Sequence, residues 1–290
     1  MTVHFKKVTI VGVGLIGGSL GMILKRKGLA EQVIGIGRTV ENLERAVQLG
    51  AIDRYEHDPS QAMPGTDLVI LATPVESYTE HFKRWGGFLD NGTIVSDVGS
   101  VKGPLVEQAE SLLPSGVEFV GAHPIAGKEQ SGVGAASVDL YQKALCLLTP
   151  TAKTNGEAIK TVQRLWEATG STVHLIDPFL HDWILGAVSH LPHVAAFALM
   201  NALHNLQQQT KGDIDLLTFS GGGLRDTTRI AASSPEMWRD IFLWNRDNLI
   251  LMIEALEQQL RRFKTSIKEN DGVGIEQDIA QAREARQRLQ

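Results

Sequence analysis

The stretch Lys7-Val-Thr-Ile-Val-Gly-Val-Gly-Leu-Ile-Gly-Gly-Ser-Leu-Gly21 constrains this chain more than any other. A β-branched apolar run (Val8, Ile10, Val11) breaks into a G-x-G-x-x-G pattern at Gly12, Gly14 and Gly17. An apolar helical pattern follows at Leu20, Ile23 and Leu24. In such a turn the first glycine allows the tight bend, the second lets backbone approach a pyrophosphate, and the third lets helix and strand pack closely. The helix start adds unpaired N–H groups and a positive dipole end. The glycines alone are weak evidence, but a strand before them and a helix after them supply the context the motif requires. A nicotinamide or flavin dinucleotide is therefore the expected ligand, held at Gly12, Gly14, Leu15, Ile16 and Gly17.

The second strand is predicted at Gln32–Ile36. Roughly 20 residues past the turn, a site for NAD would place Asp or Glu on the adenosine ribose. This chain has Gly37, Arg38 and Thr39 there. A missing carboxylate followed by Arg and a hydroxyl suits a 2′-phosphate, so NADP is favoured over NAD, with Arg38 and Thr39 as its readers. Further strands are predicted at Asp67–Ala72, Thr93–Ser96, Val117–Val120, Leu145–Leu148 and Ser171–Ile176, with helices between. That alternation argues for an α/β chain whose first 176 residues form a doubly wound, parallel, Rossmann-type sheet domain.

From Asp177-Pro178, a helix cap followed by proline at the first helical position, the pattern becomes helical. It runs to Gln209 with a bend expected at Pro192. Gly221-Gly-Gly223 interrupts it, Ser234-Pro235 opens a helical region to Phe263, Thr265–Gly274 reads as a break, and a polar helix ends the chain. Residues 177–290 are thus expected to be an all-helical domain. Its surplus of apolar positions suggests that it buries surface against a second copy, as a homodimer. Net charge is −5 with no long basic block, which argues against nucleic acid. The single cysteine, Cys146, excludes an internal disulfide and suits a reducing compartment. No secretion leader is expected at Met1–Lys7. The apolar stretch Trp183–Met200 holds two histidines and a proline, so it is read as a buried core helix of a cytoplasmic protein and not as a membrane span.

Ligands of open parallel sheets bind beyond the C-terminal ends of the strands. Three such ends carry polar signatures: Thr73-Pro74, Ser100-Val101-Lys102 and His123-Pro124. Histidine suits proton removal from an alcohol because its pKa lies near neutral, and His123 is placed in a glycine-rich turn just after its strand. The helical part supplies His190 and His193 on one helix face, and Arg225 and Arg229 after the glycine run, where a loop-to-helix anion site is expected. No metal is expected.

Four segments then carry a family resemblance: Gly121-Ala-His-Pro-Ile-Ala-Gly-Lys-Glu-Gln-Ser-Gly132, Ser189-His-Leu-Pro-His193, Gly221-Gly-Gly-Leu-Arg-Asp-Thr-Thr-Arg-Ile-Ala231 and Met237-Trp-Arg-Asp-Ile-Phe242. Together, and in this order, they resemble the prephenate/arogenate dehydrogenases of tyrosine biosynthesis. The resemblance implies oxidative decarboxylation of a cyclohexadienol with hydride transfer to NAD(P). It implies His123 as proton acceptor, Ser100 holding the ring hydroxyl and the nicotinamide, Arg229 on a substrate carboxylate, and His193 lining the substrate pocket with His190 beside it. Glu129, Asp182 and Trp238 match residues near the pocket entrance. Prephenate is expected over arogenate, on the argument that His193 donates a hydrogen bond to a keto oxygen. The rival readings are a β-hydroxyacid dehydrogenase, for which no well-placed lysine is evident in the helical part, and a dinucleotide-sensing dimer.

Overall fold

The structure is a computed structural model, and it describes residues 3–128, 130–210 and 214–289. In chain order the sheet half runs β1 (Phe5–Val11), α1 (Leu15–Arg26), β2 (Ala30–Ile36), α2 (Val40–Gln48), β3 (Arg54–Glu56), α3 (Pro59–Ala62), β4 (Leu68–Leu71), α4 (Tyr78–Trp85), β5 (Ile94–Asp97), α5 (Gly103–Leu112), β6 (Glu118–Ile125), β7 (Leu145–Thr149), α6 (Gly156–Thr169) and β8 (Thr172–Leu175). The helical half follows as α7 (Pro178–Leu185), α8 (Leu191–Gln209), α9 (Gly222–Thr228), α10 (Pro235–Trp244), α11 (Arg246–Glu269) and α12 (Gly272–Gln287).

The eight strands lie in the order β3-β2-β1-β4-β5-β6-β7-β8. β1 to β6 are mutually parallel, whereas β7 is antiparallel to β6 and β8 is parallel to β7. The expected all-parallel sheet is corrected at that edge. Among the described residues, the link from β6 to β7 contains only a short 3-10 turn (Val133–Ala135) and no crossover helix, so the chain returns from the edge at which it left. An apolar run such as Leu145–Leu148 has no direction in its periodicity. The three-residue β3 was also missed, being too short and polar to show alternation.

Side chains alternate between two cores. Leu68 and Ile70 face α1, α2 and α6, where Leu20, Ile23, Leu24, Val162 and Trp166 are fully buried. Val69 and Leu71 face α4 and α5, where Tyr78, Phe82, Leu105 and Val106 are buried. Covering both faces is what a parallel sheet requires, and each such apolar side chain contributes roughly 1.5–3 kcal/mol on burial. Trp238 and Ile241 of α10 belong to the second core, which docks the helical half onto the sheet.

The helical half departs from expectation in three places. The helix is continuous from Pro178 to Gln209, and an unexpected π turn at Gly186–His190, between α7 and α8, lies just before Pro192. α11 runs through the expected break and stops at Asn270, which is left-handed at φ 55°. The stretch Trp183–Met200 is not a buried core helix. Trp183, Ile184, Val188 and Leu199 are exposed, and only 22% of the apolar window within Pro178–Gln209 is buried. Asp177 caps α7 as read from the sequence, accepting from Phe179 N and Leu180 N at 2.9 Å each.

Candidate functional site

The dinucleotide turn fits its ligand on steric grounds. Gly12 has φ +93°, and a Cβ there would lie 2.4 Å from Ala72 O. A Cβ on Gly17 would lie 2.3 Å from Gly12 O, so helix and strand meet only because it is absent. Above Gly14 there is open space, and Gly14 offers the start of α1 no side-chain cap. The N–H groups of Leu15 and Ile16 thus begin a helix open to an anion, the requirement for a pyrophosphate. Tyr141 fixes this turn from β7's side by donating to Ile16 O at 2.7 Å. At the end of β2, Arg38 is exposed and Thr39 is the N-cap residue of α2 without a side-chain cap bond. Thr73 lies just past β4, half-buried beside exposed Pro74. Its hydroxyl is 2.8 Å from Ser77 Oγ and 3.3 Å from His81 Nε2.

The next two strand ends are locked together by a buried ion pair that the sequence reading did not single out. Lys102 Nζ donates to Asp97 Oδ2 at 2.6 Å, and both side chains are fully buried. Asp97 also accepts from Gly99 N at 2.8 Å and from Ala122 N at 3.0 Å. Burial pushes the Asp97 carboxyl up, opposed by the Lys102 ammonium and these N–H groups. This knot ties the loop carrying Ser100 to the strand carrying His123. Ser100 itself is half-buried.

His123 is not in a glycine-rich turn. Parallel pairing of β5 with β6 ends at Ser96 opposite Val120, but β6 continues to Ile125 because β7 pairs with it, placing His123 opposite Leu147. His123 therefore stands on a rigid strand three residues beyond the parallel edge. Burial holds its pKa well below 6.5, helped by His181, Lys102 and His190. Its Nδ1 lies 2.9 Å from His181 Nε2, and His181 Nδ1 lies 2.8 Å from Asp182 Oδ1. His181 was missed. Its one sequence signal is adjacency to Asp182 at the start of the helical half.

Asp182 corrects its expected place near the pocket entrance. It is 2% exposed, and its oxygens accept Lys102 N at 2.8 Å and Gly103 N at 2.7 Å, capping α5. Trp238 is likewise 6% exposed, with the face of His193 stacked on it at 3.6 Å and His190 edge-on at 5.9 Å. His190 is buried, 2.9 Å from Asn245 Nδ2, and burial lowers its pKa to about 4. A direct substrate contact from His190 is corrected to support of Trp238. His193 remains half-buried, with Nδ1 2.9 Å from Ser189 O. Burial lowers its pKa, the Ser189 bond opposes that, and the charge of Arg229 lowers it further.

Arg229 opens a 3-10 turn (Arg229–Ala232) packed against α8, and it is exposed. At the glycine run the expected passage from loop to helix is present: α9 is a seven-residue helix beginning at Gly222 inside that run, with Arg225 exposed on it. Glu129 lies outside the described residues. The structure thus links His123, His181 and His190 electrostatically, and links His190 through Trp238 to His193 and Arg229.

A glycine turn made for a pyrophosphate, with a buried neutral histidine beyond the strand ends, defines a dinucleotide-dependent dehydrogenase with a helical C-terminal half. Residues 20–175 match the nucleotide-binding domain of prephenate dehydrogenase, and residues 177–280 match its dimerization domain. The chain therefore belongs to the prephenate dehydrogenase family. It is 34% identical to a prephenate dehydrogenase of Bacillus subtilis over 92% of this chain and 72% of that one. It is 32% identical to a cyclohexadienyl dehydrogenase of Zymomonas mobilis over 99% and 96%. Among solved structures, the prephenate dehydrogenase of A. aeolicus in complex with hydroxyphenyl propionate and NAD+ superposes over 100% of both chains with a TM-score of 0.91 at 38% identity. A Synechocystis arogenate dehydrogenase covers 98% of this chain, and 100% of its own length is matched, at TM-score 0.82 and 29% identity.

Proposed function

We propose that this chain oxidatively decarboxylates prephenate to 4-hydroxyphenylpyruvate in tyrosine biosynthesis. His123 carries the reading: a histidine kept neutral by burial, on a rigid strand beyond the sheet edge, is poised to accept a hydroxyl proton. Ser100, tied to the same knot, holds that hydroxyl. Arg229 pairs with a substrate carboxylate, for which a planar fork of donors is suited. An oxidised nicotinamide dinucleotide, which Gly12, Gly14, Leu15, Ile16 and Gly17 would hold, would supply the hydride acceptor. Losing hydride and carbon dioxide together makes an aromatic ring, so the residues have mainly to align the substrate, which is catalysis by positioning.

NADP is the proposed preferred cofactor. Support comes from the end of β2, where no carboxylate stands and exposed Arg38 is held by no ion pair among the described residues. Two copies pair through the helical half, whose 177–280 region matches a dimerization domain and whose apolar surface is exposed. We read that surface as an interface within a cytoplasmic enzyme, although Pro178–Gln209 is long and apolar enough to cross a membrane.

One observation favours arogenate as a second substrate. Ser189 O can only accept, so neutral His193 carries its proton on Nδ1 and presents Nε2 as an acceptor. It does not donate to a keto oxygen, so His193 gives prephenate no advantage over arogenate. The test is a rate comparison of prephenate and arogenate, each with NAD and NADP, followed by the absorbance of the reduced nicotinamide. Absence of turnover with prephenate under either cofactor would sink the proposal.

A further inference from the structure

The bonds around His123 determine which of its nitrogens carries the proton. Asp182 acts only as an acceptor towards Lys102 N and Gly103 N, so its third bond, from Oδ1 to His181 Nδ1 at 2.8 Å, makes that nitrogen a donor. A neutral imidazole has one N–H, and burial keeps His181 neutral against the pull of Asp182. His181 Nε2 is then an acceptor, and the nitrogen 2.9 Å from it, His123 Nδ1, must donate. The lone pair of His123 is left on Nε2.

We propose that His181 is a positioning residue of the reaction: it holds His123 in the Nδ1–H tautomer, keeps Nε2 open as proton acceptor, and steadies the imidazolium formed there. The proposal rests on the reading of His123 as the group that takes the hydroxyl proton. In that step the substrate O–H bond breaks, an N–H bond forms at His123 Nε2, and the Nδ1–H bond to His181 strengthens as the ring becomes a cation. Asp182 keeps its bonds from the N-terminus of α5 throughout. Imidazole in water prefers its proton on Nε2, so without His181 the base would tend to be blocked. The charged and titratable groups around the pair are Lys102, Asp97, His190 and, behind β6, the Cys146 thiol.

Three variants of the full-length protein test this. His181→Leu should lower kcat roughly 10- to 100-fold, by analogy with the cost of losing the partner that orients a metal-binding histidine, with KM and dinucleotide binding held. Losing His181 removes both a bond that favours the cation and a charge that opposes it when protonated, so the acid limb of the kcat–pH profile should depart from the parent's. Nitrogen-15 spectra should show His123 changing to the Nε2–H tautomer. His181→Gln places an amide oxygen near the lost Nε2 and should restore most of the rate, the parent limb and the Nδ1–H tautomer. His123→Asn should lose turnover. A Leu variant with the parent's kcat, acid limb and tautomer, beside an inactive His123→Asn, overturns the role of His181 alone. Near-parent turnover in His123→Asn overturns the base assignment on which that role rests. If the Leu variant does not fold, the Gln variant decides: Nδ1–H supports the proposal and Nε2–H overturns it.

Discussion

The sheet half and the helical half solve the problem of burial differently. In the sheet half, strands and helices alike contribute fully buried side chains on both faces, and only the second core borrows side chains from the helical half, Trp238 and Ile241. Among the described residues from α8 to α12, the only buried apolar ones are Ala196, Trp238, Ile241, Leu249 and Met252. Over the same elements Leu206, Leu243, Ile250, Leu251, Leu260 and Ile267 are exposed. An apolar surface that large marks a site for a partner. The first half is complete as one chain and carries the proposed base on a rigid strand. The second leaves apolar surface exposed, matches a dimerization domain and carries the proposed substrate grip. Chemistry and binding should therefore separate when each half is altered.

The largest effect belongs to the sheet half. His123→Asn should lower kcat by about 10²–10⁴-fold, the contribution of a positioned base, while dinucleotide affinity survives. The neutral form acts and its pKa lies well below 6.5, so the parent rate should be flat through neutrality and fall only on the acid side of that value. Steady-state kinetics from pH 5 to 9, together with a dinucleotide titration, check both statements. A rate that still climbs through pH 7 would mean that His123 is not held neutral as described.

Stability should divide along the same line. Leu24→Ala removes a fully buried side chain of α1 and should cost about 2–5 kcal/mol at any protein concentration. Leu251→Asp, at a position 55% exposed on α11, should leave the sheet half folded but weaken self-association. Denaturation at two protein concentrations and sedimentation measure the two effects. A Leu251→Asp protein that remains as tightly dimeric as the parent would show that this face of α11 is not the interface.

Binding comes next. Arg229→Leu should raise the substrate KM about 10- to 150-fold with kcat less affected, from a charged hydrogen bond of roughly 1.5–3 kcal/mol. Arg38→Ala should weaken NADP by the same range and NAD less. Equal losses for both cofactors would remove Arg38 from 2′-phosphate recognition. If Arg229→Leu lowers kcat and leaves KM alone, the division of labour between the halves is wrong.

The parts of the fold legible in the sequence are those in which one residue's pattern suffices. The glycine turn, the cap at Asp177-Pro178 and the alternating buried strands each follow from local spacing. What was missed depends on partners distant in sequence. His181 meets His123 across 58 residues, and the Asp97–Lys102 pair acquires meaning only when β6 lies beside β5. Asp182 was singled out but misplaced, because identity alone does not tell a carboxylate facing substrate from one capping a helix. The reversed direction of β7 was invisible, and so was the exposure of α8, since an apolar helix covered by its own chain reads like one covered by a second copy.

The smallest expected effect concerns substrate choice, and the structure reverses the sign that the sequence suggested. A histidine near the side chain of the substrate favours prephenate only if it donates to the keto oxygen. His193 spends its N–H on Ser189 O, 2.9 Å away, and both burial and the charge of Arg229 keep it from taking a second proton. Its remaining nitrogen accepts, which suits an ammonium N–H better than a carbonyl. Stacking on Trp238 at 3.6 Å opposes the ring flip that would exchange the two nitrogens. His193→Val should therefore lower kcat/KM for arogenate more than for prephenate. A hydrogen bond from a charged donor is worth about 1.5 kcal/mol at the low end that suits this half-buried site, so the difference should be roughly 12-fold. The measurement is kcat/KM for both substrates on parent and variant at pH 7. A larger loss for prephenate would show that His193 donates to substrate, and that the Ser189 bond breaks when substrate enters.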